Sequence, residues 1–146
     1  MLSQLAAVLG VTAEQLLKGD LQPSLQDGGN MKRIKFYRCE TCGNVLTGTG
    51  EAEIICCGRK LHPLEAQPMD EMHCVQSEII EDEAFITIKH NMKKDHFISF
   101  VAWSGYDRVM LVRLYPEQNA EVRLPLPRRG TLYVCCSKDG LFQQKL

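Results

Sequence analysis

The feature that most limits how this chain can fold is the placement of four cysteines in FYRCETCGNVLTGTGEAEIICCGRKL, residues 36–61. Cys39 and Cys42 form C-x-x-C, a loop spacing that lets two sulfurs meet one cation while backbone N–H groups point at them. Cys56 and Cys57 are adjacent. A disulfide between chain neighbours is strained, so shared ligation of one ion is the better account of that pair. Gly43 and Gly58 each follow a ligand cysteine, where a residue without Cβ allows the tight, positive-φ turn such a loop needs. The four thiolates supply a tetrahedral all-sulfur site; their softness suits iron or zinc, and spacing does not choose between them. A segment this small does not fold by apolar burial alone, so the ion is expected to hold it together.

The rest of the chain excludes several function classes. Seven cysteines, an odd number with a second adjacent pair at 135–136, favour metal ligation in a reducing compartment over a disulfide framework. MLSQLAAVLG carries neither the basic flank nor the cleavage site of a secretory signal, so a cytoplasmic protein is expected. A net charge of −1 offers no electrostatic case for binding a polyanion, and no apolar run approaches the length of a bilayer span. Nucleic acid and membrane are therefore not expected partners.

The chain reads as a helical start, a linker and an all-β body. Leu2, Leu5, Ala6 and Leu9 keep helical spacing, and Thr12 with Gln15 forms a capping-box pattern for a second short helix closed by Gly19, so residues 1–19 are expected to form two small helices. Residues 20–30 are rich in Gly, Pro, Asp and Asn without apolar period, the composition of a linker. Beyond it the pattern turns to period two at 34–38, 84–90, 96–103, 108–115 and 131–136. Phe97, Phe100, Trp103 and Tyr115 alternate along these strands and are expected in the core, as are Cys74 and Cys135, read as small buried hydrophobes.

LSQLAAVLGVTAEQLLKGD resembles the closing part of a lambda-repressor-like helix-turn-helix domain, in a phrase of the form "LA..LGV....LL.G". In that family the recognition helix lies upstream of this phrase, so the chain is not expected to read DNA by itself.

Residues 35–61 resemble desulforedoxin, the small iron domain that also opens desulfoferrodoxins, whose signature is "Y-x-C-x-x-C-G" followed by a hairpin and "C-C-G". Tyr37, Cys39, Cys42, Gly43, Cys56, Cys57 and Gly58 match it. Rubredoxins and zinc ribbons usually use C-x-x-C twice, so the adjacent pair favours the desulforedoxin type and, with it, an iron centre on four cysteines and a homodimer paired through strands.

The resemblance to desulfoferrodoxin extends over most of residues 31–146 and implies two domains: a desulforedoxin-like four-cysteine metal domain at 31–66 and an immunoglobulin-like sandwich of superoxide-reductase or neelaredoxin type at 67–146. That second domain type holds a non-haem iron on four histidines and a cysteine. His90 and His96 in HNMKKDH are similar to the family's "H-P-M-x-x-x-H", with Asn91 where proline is usual; His73 in DEMHC stands at the first ligand. CSKDGLF resembles the closing "C-N-x-H-G-x-W", which implies Cys136 as the thiolate ligand and puts Asp139 in the place of the last histidine. Glu71 matches the family's catalytic glutamate, whereas the neighbouring lysine that draws superoxide is Met72; Lys93 and Lys94 are placed to compensate. The resemblance thus implies superoxide as substrate, an external one-electron donor such as rubredoxin, and a modified His/Cys iron site with reduced activity. Two other classes are consistent with the residues: a metal- or redox-sensing regulator fragment, and a binding module built on a structural zinc.

Overall fold

The computed structural model describes residues 31–125 and 129–145. The expected helices at 1–19 and the linker at 20–30 lie outside the described residues. Among the described residues the chain is mainly β, with twelve strands in four sheets and two single 3-10 turns.

Two small hairpins come first. β1 (Lys35–Arg38) pairs antiparallel with β2 (Val45–Gly48), and β3 (Ile54–Cys56) with β4 (Arg59–Leu61). Two larger sheets follow. β6 (Val75–Ile80), β7 (Glu83–Ile88) and β10 (Glu121–Pro125) form one in the order β10-β7-β6. β5 (Ala66–Pro68), β8 (Ile98–Ser104), β9 (Val109–Arg113), β11 (Thr131–Cys136) and β12 (Gly140–Lys145) form the other in the order β5-β12-β11-β8-β9. β5 lies parallel to β12, so the boundary drawn between residues 66 and 67 falls inside a strand of the larger sheet.

Period-two alternation explains the core between these sheets. In β7, Ala84, Ile86 and Ile88 are buried while their neighbours are not, and in β10 Val122 and Leu124 repeat the pattern. These side chains meet Val101, Trp103, Leu132, Val134 and Phe142 from the five-stranded sheet. β8 is instead buried at every position, because both of its faces are covered. Phe100 and Ala102, on the face opposite Val101 and Trp103, join Cys135, Leu141 and Phe36 in a second cluster. Phe36 of β1 is 1% exposed and stacks at tilted angles on Phe100 (5.5 Å) and Tyr133 (4.8 Å), which seats the cysteine-bearing unit on the outer face of the larger sheet.

Two expectations about side chains are corrected. Cys74 is exposed, because it follows a 3-10 turn at Glu71–His73 and leads into β6, an edge strand whose outward face has no neighbour. Tyr115 is 56% exposed: β9 ends at Arg113, and Tyr115 lies beyond it in a loop with the Arg113 guanidinium 6.0 Å above its ring. Trp103 and Phe100 are buried, and Phe97 packs half-buried against the main core.

Candidate metal centres

Two clusters of metal-ligating side chains stand on this frame, each with its donor atoms within 4.8 Å of one another. The first is Cys39, Cys42, Cys56 and Cys57. Cys39 directly follows β1 and Cys56 is the last residue of β3, so each C-terminal strand end launches one loop of the site. The first loop is closed by Gly43 N–H donating to the Cys39 carbonyl (2.8 Å) and Cys39 N–H to Asn44 O (2.9 Å), with Gly43 at φ +74°. The second turns through Cys57 at φ +53° and Gly58 at φ +74°. Left-handed backbone at a non-glycine residue costs energy, and here it lets adjacent thiols aim at one point.

Sulfur spacings fit a cation. Cys42 and Cys56 Sγ are 3.5 Å apart and Cys56 and Cys57 Sγ are 4.0 Å apart. Bonds of about 2.3 Å to a tetrahedral centre put ligand sulfurs about 3.8 Å apart. Asn44 Nδ2 points at Cys56 Sγ from 3.8 Å. The backbone N–H of Cys42, helped by that of Thr41 against the effect of burial, lowers the Cys39 thiol to about 6. Crowding by the thiols of Cys42, Cys39 and Cys56 pushes Cys57 up to about 12, and Cys42 likewise raises Cys56. One thiolate therefore forms easily and the next resist, a repulsion that a bound cation removes.

The second cluster is His73, His90, His96 and Cys136. His90 and His96 lie in the loop between β7 and β8, beyond the strand ends that their alternation suggested. Lys93 and His96 exchange backbone hydrogen bonds, closing the loop tightly enough to bring the imidazoles of His90 and His96 edge-on, 4.7 Å between centroids. Cys136 ends β11 at a bulge, where the register against β8 shifts from Cys135↔Phe100 to Cys136↔Ile98. Ser137 then holds the other side of the loop, its N–H donating to Phe97 O and its hydroxyl accepting from Phe97 N–H. A tight turn ending at Gly140, φ +96°, leads back into β12 and carries Asp139.

Cys136 Sγ lies 3.1 Å from His96 Nε2 and 3.7 Å from His90 Nε2. Asp139 Oδ2 lies 3.0 Å from His96 Nε2, 3.1 Å from His73 Nε2 and 3.5 Å from Cys136 Sγ, so Asp139 is gathered with the cluster. Burial raises the Cys136 thiol, with the Asp139 carboxylate adding to it. Burial also works to raise Asp139, but the bond from His96 and the contact with Cys136 outweigh it and hold the carboxyl below its ordinary value. His90 is held low, first by burial and then by the nearby charges of His96 and His73.

His73 is the buried member, 1% exposed and stacked on Phe142 at 4.2 Å. Its Nδ1 lies 2.7 Å from Asp70 Oδ1, which also accepts the His73 backbone N–H at 2.8 Å. Its Nε2 is buried and makes no hydrogen bond, with Asp139 Oδ2 3.1 Å away. An orphaned buried nitrogen facing a thiol and a carboxylate is the donor pattern of a cation site. His90 is oriented differently: Met92 N–H donates to its Nδ1 at 3.1 Å. A neutral His90 then carries its proton on Nε2, and donating Nε2 to a cation requires that bond to be given up.

Glu71 and Met72 are exposed in the turn that carries His73, and Lys93 and Lys94 are exposed in the loop between His90 and His96. Asp70 escaped the sequence reading. Its signal was present, a carboxylate three residues before His73 and able both to cap the turn and to meet the ring.

No family model matches the chain. It is 29% identical over 126 residues to the desulfoferrodoxin of Syntrophotalea carbinolica, a match covering 78% of this chain and 98% of that protein. A desulfoferrodoxin homolog of Archaeoglobus fulgidus is 25% identical over 120 residues, covering 75% and 95%. The fold is similar to the superoxide reductase of Treponema pallidum, TM-score 0.68 at 18% identity, over 80% of this chain and 99% of that one.

Proposed function

We propose, from its likeness to desulfoferrodoxins along most of their length, that the chain is a member of that family and a non-haem iron redox protein with two centres. Cys39, Cys42, Cys56 and Cys57 hold an electron-transfer iron; His73, His90, His96 and Cys136, joined by Asp139, hold a second iron at which superoxide is reduced. The observation that supports this reading is the convergence of three imidazoles and a thiolate, drawn from positions 73 to 136, into one cluster beside a separate cluster of four cysteines. An iron at the His/Cys site would supply the electron that, with two protons, converts superoxide to hydrogen peroxide.

The chain's own residues set the terms of that reaction. Cys136, buried at the end of β11, would supply the thiolate of the donor set, beside the imidazoles and the Asp139 carboxylate. His73 is dry and His96 and Asp139 are partly solvated, so an anion reaches the site from the side of the loop carrying Lys93 and Lys94. Those ammonium groups attract superoxide, while Asp139 adds a negative charge that opposes it. Glu71, exposed beside His73, is the catalytic carboxylate in this reading, and a homodimer forms through strands of the four-cysteine unit.

The purified protein should be coloured by thiolate-to-iron charge transfer, hold two irons per chain after anaerobic loading, and accelerate the decay of pulse-generated superoxide. Colourless protein with one tightly held zinc per chain and no effect on the decay would replace this reading with a structural zinc module.

A further inference from the structure

Asp70 stands outside the His/Cys cluster, half-exposed, and its Oδ1 takes two bonds from the same residue. One comes from the His73 backbone N–H and caps the 3-10 turn. A cap needs only an oxygen on a short side chain, and serine or asparagine would do as well. The second comes from the imidazole. It has no role in the turn, but it decides which ring nitrogen carries the proton.

We propose that Asp70 is a positioning residue for the His/Cys metal site, holding His73 as the tautomer that presents a bare Nε2 to the cation. The inference rests on the reading of that cluster as a metal site. Three observations carry it. The Asp70 Oδ1 to His73 Nδ1 distance is 2.7 Å, short enough for a charge-assisted bond. His73 Nε2 is buried and makes no hydrogen bond, although it faces the cluster with the Asp139 carboxylate 3.1 Å away. The ring is 1% exposed and stacks on Phe142 at an interplanar angle of 16°, contacts that favour the orientation with Nδ1 toward Asp70. Among the described residues, His73 alone of the three imidazoles has its far nitrogen held by a carboxylate. His90 accepts from an amide at Nδ1, which protonates the opposite nitrogen. His73 is therefore the imidazole prepared for ligation before a metal arrives, and Asp70 is what prepares it. A carboxylate behind a ligand histidine also makes the bound nitrogen more basic.

Serine separates the two roles, since its hydroxyl reaches the backbone N–H of the third helical position but not the ring. Asp70→Asn keeps an acceptor for both bonds and removes the charge. Long-range nitrogen NMR of the metal-free full chain, at a pH well above the imidazole range, reads the tautomer directly. Wild type and Asp70→Asn should show His73 protonated at Nδ1 and bare at Nε2. Asp70→Ser should show a tautomer mixture with an unchanged melting temperature. Binding of Co2+ against a competing chelator should then weaken about 10–100-fold at the His/Cys site in Asp70→Ser, the loss usual when a carboxylate behind a ligand histidine is removed. Asp70→Asn should fall between, and the four-cysteine site, read by its own thiolate-to-cobalt bands, should not change. An unaltered tautomer in Asp70→Ser overturns the proposal, and so does an altered tautomer with unaltered cobalt affinity. Wild-type protein that takes no Co2+ at this cluster removes the metal-site reading, while the tautomer still reports whether Asp70 holds the ring.

Discussion

Replacing Asp139 with histidine tests the arrangement of the second centre most directly. The Asp139 carboxylate is 3.0 Å from His96 Nε2, 3.1 Å from His73 Nε2 and 3.5 Å from Cys136 Sγ. An anion attracted to a cation among those atoms would come within about 4 Å of it. At that separation like charges repel by ~1 kcal/mol in bulk water and ~4 kcal/mol at an effective dielectric of about 20. The Asp139 side chain is 42% exposed, so the solvated end of that range applies. Removing the charge should then tighten anion binding roughly fivefold to tenfold. Azide titration of the oxidised, iron-loaded protein measures this, and decay of pulse-generated superoxide at two ionic strengths measures its kinetic counterpart. Asp139→His should tighten azide by that factor, speed the decay and raise iron retention at this site. Asp139→Asn should give the azide gain without the added retention, since it removes the charge but supplies no imidazole. Both gains should shrink at high salt. If Asp139→His leaves azide affinity, iron content and decay rate where they were, the three histidines, Cys136 and Asp139 do not surround one ion.

Three further outcomes follow from the same structure. Cys57→Ala, or chelation of the four-cysteine site, removes metal stabilisation on the order of 10 kcal/mol; hydrogen exchange should rise throughout β3 and β4, which have no fully buried side chain, and stay slow in β8 and β11. Phe36→Ala empties a fully buried ring site between the two units and should cost about 3–5 kcal/mol in urea unfolding. The metal-free protein should lose stability on acidification. Burial and then the charges of His96 and His73 hold His90 below its ordinary value, so its contribution is complete above about pH 6.5 and fades as pH falls toward the folded value. Burial works to raise Asp70 and Asp139, but bonds from His73 and His96 outweigh it and hold both low, so their contributions fade below about pH 4. Urea midpoints measured in chelator across this range check the sign.

Strands that carry the core were legible because alternation reports one-sided burial. Ile86 and Ile88 in β7 and Leu132 and Val134 in β11 write that pattern openly. Strands that were not singled out lack it for physical reasons. β6 is an edge strand with Ile79 and Ile80 both exposed, so its residues do not alternate in burial. β3, β4 and β5 are three residues each, too short for a period to register. Tyr115 was assigned to the core because the alternation of RVMLVRLY does not announce where β9 ends. The partner strand β8 begins at Ile98, and pairing with it runs out one residue past Arg113, where Leu114 N–H bonds Ser99 O; that limit lies in the partner and not in the phrase itself.

The two centres differ in how much of each could be read from spacing. The four-cysteine cluster is nearly local: Cys39 with Cys42, and Cys56 with Cys57, are joined by turns whose glycines stand in the sequence, and only one distance between the pairs remains for the fold to supply. His73, His90, His96 and Cys136 come from four separate places, and nothing in their spacing brings them together. What does so is the bulge at Cys135/Cys136, the Phe97 and Ser137 exchange, and the stacking of His73 on Phe142 of β12. Only the likeness of whole phrases to a known family made those residues candidates before the fold was seen. That route favours residues matching a familiar pattern and is blind to the rest. It found Asp139 as a departure from a motif but passed over Asp70, which belongs to no motif and is recognised only by the 2.7 Å bond it makes. A supporting residue of this kind is defined by geometry between side chains, so it becomes visible only once the backbone has placed them.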